Sequence, residues 1–74
     1  MRIRLNGESR EFPGPLTVQA LLDELHIDGR LVAVELNLDV IRRARYADTV
    51  IQEDAEVEIV AFIGGGSGSS GDER

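Results

Sequence analysis

Glu56-Val57-Glu58-Ile59-Val60-Ala61-Phe62-Ile63-Gly64-Gly65-Gly66 is the stretch whose reading decides the fold. From Glu56 to Ile63 it has the character of a strand. Val57, Ile59 and Ala61 share one face, and Glu58, Val60 and Phe62 share the other. After Ile63 the side chains stop. Glycine has no Cβ, so Gly64-Gly65-Gly66 can thread a channel too narrow for any other residue. A glycine run is equally what a flexible end is made of, so its meaning depends on the domain that precedes it.

Beyond the glycines lies Ser67-Gly68-Ser69-Ser70-Gly71-Asp72-Glu73-Arg74, with no apolar side chain among the eight. Such a segment cannot bury enough surface to offset the entropy of ordering it. Two segments are therefore expected: a folded domain over residues 1–66 that ends in the glycine arm, and a disordered Gly/Ser/acidic tail over 67–74.

In a chain of 74 residues this leaves room for one small domain. There is no cysteine, which excludes disulfide bracing, a thiolate metal site and an internal thiol nucleophile. The net charge is −6; Asp72, Glu73 and Arg74 account for −1 of it, and −5 falls on residues 1–66. An acidic surface repels phosphate backbones, so nucleic acid is not the expected partner. A basic or mixed-charge protein is. No apolar run approaches the ~20 residues of a membrane span, and Arg2 and Arg4 alternating with Ile3 and Leu5 do not make a signal peptide. The expected compartment is the cytoplasm, with neither membrane nor nucleic acid as partner.

Met1-Arg2-Ile3-Arg4-Leu5 alternates strictly, Asn6-Gly7 is a hairpin turn, and Ser9 to Phe12 is the return strand, ended by Pro13. Thr17 is placed to cap a helix of about three turns, with Val18, Leu21, Leu22 and Leu25 on its apolar face. His26, near the end of that helix, reads as a partner of its dipole. No acid, base or nucleophile accompanies it, so neither a catalytic set nor a metal site is expected, and the chain reads as a non-enzyme.

Asp28-Gly29-Arg30 breaks the helix. Leu31 to Asn37 is the most apolar strand, with Val32, Val34 and Leu36 on one face. Val40-Ile41 forms a short strand, and Arg42, Arg43 and Arg45 a basic cluster beside Tyr46. Tyr46 to Ile51 reads as a turn or short helix that tucks Val50 or Ile51 inward. With a single helix, only one face of the sheet can be covered. The order of elements predicts an α+β, β-grasp (ubiquitin-like) roll, with a mixed four- to five-stranded sheet, one helix on one face, and the first and last strands side by side, parallel, in the middle. Val60 and Phe62 on the uncovered face form a docking patch.

Leu16-Thr17-Val18 before the helix, Val32-Ala33-Val34-Glu35-Leu36-Asn37, Arg43 to Tyr46, and Val57-Glu58-Ile59-Val60 leading to Gly64-Gly65-Gly66 together resemble the ThiS family, the ubiquitin-like sulfur carriers of thiamin (thiazole) biosynthesis. The likeness runs from Met1 to Gly66. It departs at turns: Leu38 stands where the family often has Gly, Arg42 where it often has Pro, and Asp54-Ala55 where Gly-Asp is common. The tail is the larger departure, since family members typically end at the diglycine.

The resemblance implies a mechanism. The Gly66 carboxylate, reached through Gly65, would be adenylylated by a ThiF-like adenylyltransferase that uses ATP with magnesium; the carrier itself binds no cofactor and no metal. Persulfide sulfur would displace AMP to leave a thiocarboxylate, and a ThiG-like thiazole synthase would accept the sulfur. Val60, Phe62, Ile63, Gly64 and Glu58 are the expected partner interface. The four residues after Phe62 reach about 13 Å at roughly 3.3 Å each, enough to enter a buried site. Gly66 followed by Ser67 has an amide where this chemistry needs a carboxylate, so a protease that trims the tail belongs among the partners. Other readings compatible with these residues are a carrier for molybdopterin or a sulfur amino acid, a non-carrier β-grasp interaction module, and a ubiquitin-like modifier.

Overall fold

The computed structural model describes residues 1–62. Ile63, Gly64, Gly65, Gly66 and the tail over 67–74 lie outside them. Strand β1 (Arg2–Leu5) turns into β2 (Glu8–Glu11) through Asn6 and Gly7, whose φ values of 50° and 84° are those of a tight two-residue hairpin. Two-residue β3 (Leu16–Thr17) leads directly into helix α1 (Val18–Glu24). A 3₁₀ turn at Gly29–Leu31 precedes β4 (Val32–Leu36), which pairs with β5 (Asp39–Ile41). A second 3₁₀ turn, Arg43–Arg45, leads to β6 (Val50–Ile51) and then to β7 (Glu56–Ala61).

The main sheet has the order β2-β1-β7-β4-β5. Strands β1 and β7 are parallel neighbours, and every other pairing is antiparallel. This is the expected β-grasp arrangement, with the first and last strands central. Ile3, Leu5, Val32, Val34 and Val57 point from the sheet toward Val18, Leu21 and Leu22 of α1, and these form one buried core. Val18, Leu21, Leu22, Val34 and Val57 are wholly inaccessible, which accounts for a seven-residue helix that would be marginal alone.

Several local expectations need correcting. Thr17 does cap α1, its hydroxyl accepting from the Ala20 N–H at 3.0 Å, but the helix is seven residues rather than three turns. It stops because His26 adopts φ 58°. The His26 N–H then reaches the Asp23 carbonyl and the Ile27 N–H the Leu22 carbonyl, the paired bonds of a left-handed helix end. So His26 terminates the helix with its backbone; it lies beyond the last helical residue rather than within it. Of the two forms expected for Tyr46 to Ile51, the turn is the one found, over Tyr46 to Asp48, and not a helix. The end of the segment, β6, pairs antiparallel with β3 (Leu16↔Ile51, Thr17↔Val50), burying Ile51 and leaving Val50 exposed. Strands of two residues are too short to show a period, so the sequence pattern could not reveal this second sheet.

Two asparagines fix β7 in place. Asn37 donates its N–H to the Glu56 carbonyl (2.7 Å) and accepts the Glu56 N–H on its side-chain oxygen (2.9 Å). The Asn6 side chain accepts from the Ile59 N–H (2.7 Å) and donates to the Ile59 carbonyl (3.3 Å). Both residues have positive φ, 51° and 50°, a region asparagine tolerates better than most side chains. Each one turns the chain and holds the strand that carries the arm.

Candidate functional site: the outer face of β7

The register of the sheet sets which side chains stand together on the face away from the helix. Directly opposed residues of antiparallel strands point the same way. Glu58 on β7 is therefore flanked by Glu35 on β4 and, one strand further, by Val40 on β5. Val60 is flanked by Ala33. The next pair continues beyond the strands, where the Phe62 N–H donates to the Leu31 carbonyl at 2.8 Å. The face thus changes character along β7: acidic at Glu56, Glu58 and Glu35, then apolar at Val60, Phe62 and Leu31.

The apolar end is open to solvent. Val60 is 57% exposed, Leu31 58% and Phe62 66%. No element of residues 1–62 covers this face, because the single helix packs on the other. The acidic end carries unrelieved repulsion. Glu35 and Glu58 oppose each other directly, and neither makes an ion pair among the described residues, where only Arg2–Glu11 and Asp28–Arg30 qualify. Like charges so placed destabilise a sheet. A cation from a partner would relieve them.

The described residues hold no cluster of three or more His, Cys, Asp or Glu side chains that could bind a metal. His26 is exposed and stands alone. Arg42, Arg43 and Arg45 are exposed around the second 3₁₀ turn, while neighbouring Tyr46 is buried, its hydroxyl 3.5 Å from the Val32 carbonyl. The strongest electrostatic perturbation is local to the loop after α1. There the Arg30 guanidinium donates to the Asp28 carboxylate at 2.6 and 3.0 Å, and the Arg30 backbone N–H adds a bond at 2.9 Å. These bonds to the charged form hold the Asp28 carboxyl down at about 2. No helix is long and apolar enough to cross a membrane among the described residues.

The sequence profile of the ThiS family matches residues 3–66, nearly the whole chain. The chain belongs to the ThiS family. Its similarity to the sulfur carrier protein ThiS of Bacillus subtilis is 32% identity over 65 residues, 86% of this chain and 98% of that one. The crystal structure of the thiamine biosynthesis protein ThiS from Geobacter metallireducens superposes with a TM-score of 0.79 at 33% identity, covering 89% of this chain and all of that one. A thiazole synthase of Paramagnetospirillum magneticum is 49% identical over 67 residues, 90% of this chain. This ThiS-family chain spans only about a fifth of that synthase's length.

Within the ThiS-family fold, the structure brings three of the expected interface residues together on one face: Val60, Phe62 and Glu58. Ile63, Gly64, Gly65 and Gly66 lie outside the described residues. Ala61 points to the helix side as expected, yet it is exposed, lining an open groove with Leu25 and Ile27. Residue-by-residue reading missed Glu35 and Leu31 as members of the patch. Cross-strand register alone puts them there, and no periodicity within one strand carries that information. Asn6 and Asn37 were also missed as the residues that hold β7, although Asn-Gly at 6–7 did mark the turn.

Proposed function

We propose that this chain is a sulfur carrier protein that serves thiazole formation in thiamin biosynthesis. The observation that carries the reading is the extent of the family match: it runs to residue 66, the last of the three glycines, with β7 feeding directly toward them. The name of the Bacillus subtilis relative, sulfur carrier protein ThiS, supports the same reading.

The chemistry asks little of the carrier beyond shape. The Gly66 carboxylate attacks the α-phosphorus of ATP in a ThiF-like adenylyltransferase and expels pyrophosphate. The resulting acyl adenylate is attacked by the outer sulfur of a persulfide, and AMP leaves. A thiol then cleaves the S–S bond, and the thiocarboxylate remains on Gly66. Gly65 and Gly66 present no side chain to the walls of the partner's site. The outer face supplies binding: Val60 and Phe62 give apolar area near the arm, and Glu58 beside Glu35 selects a basic counterpart and sets orientation. ATP and its magnesium belong to the activating partner. A carboxylate at Gly66 also requires cleavage of the Gly66–Ser67 bond, the task of a trimming protease.

A thiazole synthase is the proposed sulfur acceptor. In support, a protein named thiazole synthase contains a segment 49% identical to 90% of this chain. That observation favours thiazole over molybdopterin or a sulfur amino acid as the destination.

The test is an intact mass. A chain ending at Gly66 is incubated with the adenylyltransferase, ATP and a persulfide donor. The expected product is heavier by the difference between one sulfur and one oxygen atom. A chain ending at Gly66 that forms neither adenylate nor thiocarboxylate refutes the carrier reading. Full-length chain that is converted without cleavage refutes the trimming step alone.

A further inference from the structure

Strand β7 is paired along one edge for its whole length but along the other for only part of it. On the β4 side the pairs run from Leu36↔Val57 to Val32↔Ala61. On the β1 side they are Arg4↔Glu56 and Leu5↔Val57, after which β1 turns away at Asn6-Gly7. The Asn6 side chain takes both backbone groups of Ile59. The next residue facing that way is Ala61.

The direction of the Ala61 backbone follows from its neighbours. Bonds from the Phe62 N–H to the Leu31 carbonyl and from the Asn37 N–H to the Glu56 carbonyl identify alternate pairs of the β4–β7 ladder as the hydrogen-bonded ones. Val32↔Ala61 falls between them, so the Ala61 N–H and C=O point to the β1 side. Bonds from the Arg4 N–H to the Ala55 carbonyl and from the Asn6 N–H to the Val57 carbonyl show the same sense for the odd-numbered residues. Among the described residues nothing meets the two Ala61 groups, and Ala61 is exposed. Beneath them lies an open groove of about 420 Å³, floored by Leu5, Leu25, Ile27 and Ile59 with Arg10 at its rim. Arg10 makes no ion pair among the described residues.

Two backbone groups of Ala61 without a partner among the described residues, above an apolar trough, suit an extended segment that adds as a strand and drops a side chain into the trough. We infer that thiazole synthase, the acceptor proposed above, docks by adding such a strand beside Ala61, with an apolar side chain over Leu25 and Ile27 and a carboxylate at Arg10. This inference rests on that choice of acceptor. Residues 67–74 are a poor occupant, since they carry no apolar side chain for the groove. A second copy would bring two chains of net charge −6 together.

Amide exchange on the full chain provides the test. In the free chain the Ala61 amide exchanges rapidly. With thiazole synthase it slows at least about tenfold, the effect of one or two ordinary backbone hydrogen bonds. Ala61→Pro removes the donor without touching the β4 ladder, and Arg10→Glu reverses the rim charge. Each is expected to weaken thiazole synthase binding about tenfold or more. Should the proline variant fail to fold, Arg10→Glu and the wild-type exchange still decide the matter. Protection of Ala61 in the free chain would assign the edge to residues 67–74. Protection by the adenylyltransferase alone would assign it to that enzyme. Either overturns the inference, as does tight binding with Ala61 unprotected, which leaves the choice of acceptor standing. Absence of any binding by the wild-type chain overturns both.

Discussion

Leu38 occupies a conformation that its side chain opposes, and replacing it with glycine should stabilise the fold. The β4–β5 hairpin turns at Asn37 and Leu38, with φ values of 51° and 74°. A left-handed backbone costs a side-chain-bearing residue about 1–2 kcal/mol, and glycine nothing. Two effects oppose the gain. Glycine loses more freedom on folding, about 0.5–1 kcal/mol. The small buried part of Leu38, which is 82% exposed, is worth about 0.4 kcal/mol. A net gain of about 0.5 kcal/mol remains for L38G. The cleaner quantity is the comparison with L38A, which loses the same side chain but keeps the unfavourable φ. L38G should exceed L38A by about 1 kcal/mol, or roughly 4–8 °C in Tm for a domain of this size. Urea unfolding of the three proteins, with a common slope, measures it. If L38A proves as stable as L38G or more so, the turn does not hold residue 38 in the left-handed region, and the reasoning fails.

Asn6→Ala should cost about 2 kcal/mol, from two lost bonds to Ile59 plus an alanine at φ 50°. Asn6→Asp, which keeps the acceptor for the Ile59 N–H, should lose markedly less by the same urea assay. Glu35→Lys turns a cross-strand repulsion with Glu58 into an attraction, so stability should rise by about 0.5 kcal/mol. Partner binding, measured by calorimetry, should weaken in the same variant, since a basic counterpart now meets a lysine. The Asp28 carboxyl should titrate near 2 by NMR, below its ordinary 3.8, because Arg30 binds its charged form. The sign follows from that depression: its contribution to stability is complete above about pH 4 and disappears as the pH falls through 2. Arg30→Ala should raise the carboxyl toward the ordinary range without restoring it fully, because the backbone N–H of residue 30 still bonds the charged form.

Much of the fold was written in local pattern. Strict alternation in Met1 to Leu5, the strand-like run Glu56 to Ile63 with Val57 inward, Asn-Gly between two strands, and Val18, Leu21, Leu22 and Leu25 after a threonine cap each state which face is buried. Only a few packings satisfy all of them, and the parallel β1–β7 pair at the centre is one. The outward phase of Val60 and Phe62 was legible for the same reason: the period is two, and Val57 must be inside. The family's frequent glycine after Asn37 and its Gly-Asp pair before the last strand appear here as Leu38 at φ 74° and Asp54 at φ 66°. Both positions put a residue with a side chain in a left-handed backbone that glycine adopts more readily.

What the sequence by itself determined, then, is which residues face the core and where the chain must turn, because those properties depend on neighbours a few residues away. The tertiary structure alone decided what stands beside what across strands. It placed Glu35 against Glu58 and Leu31 against Phe62. It closed β3 on β6, and it left the Ala61 backbone facing an open groove. Register is a property of two segments brought together by one shared core, and neither segment carries it alone.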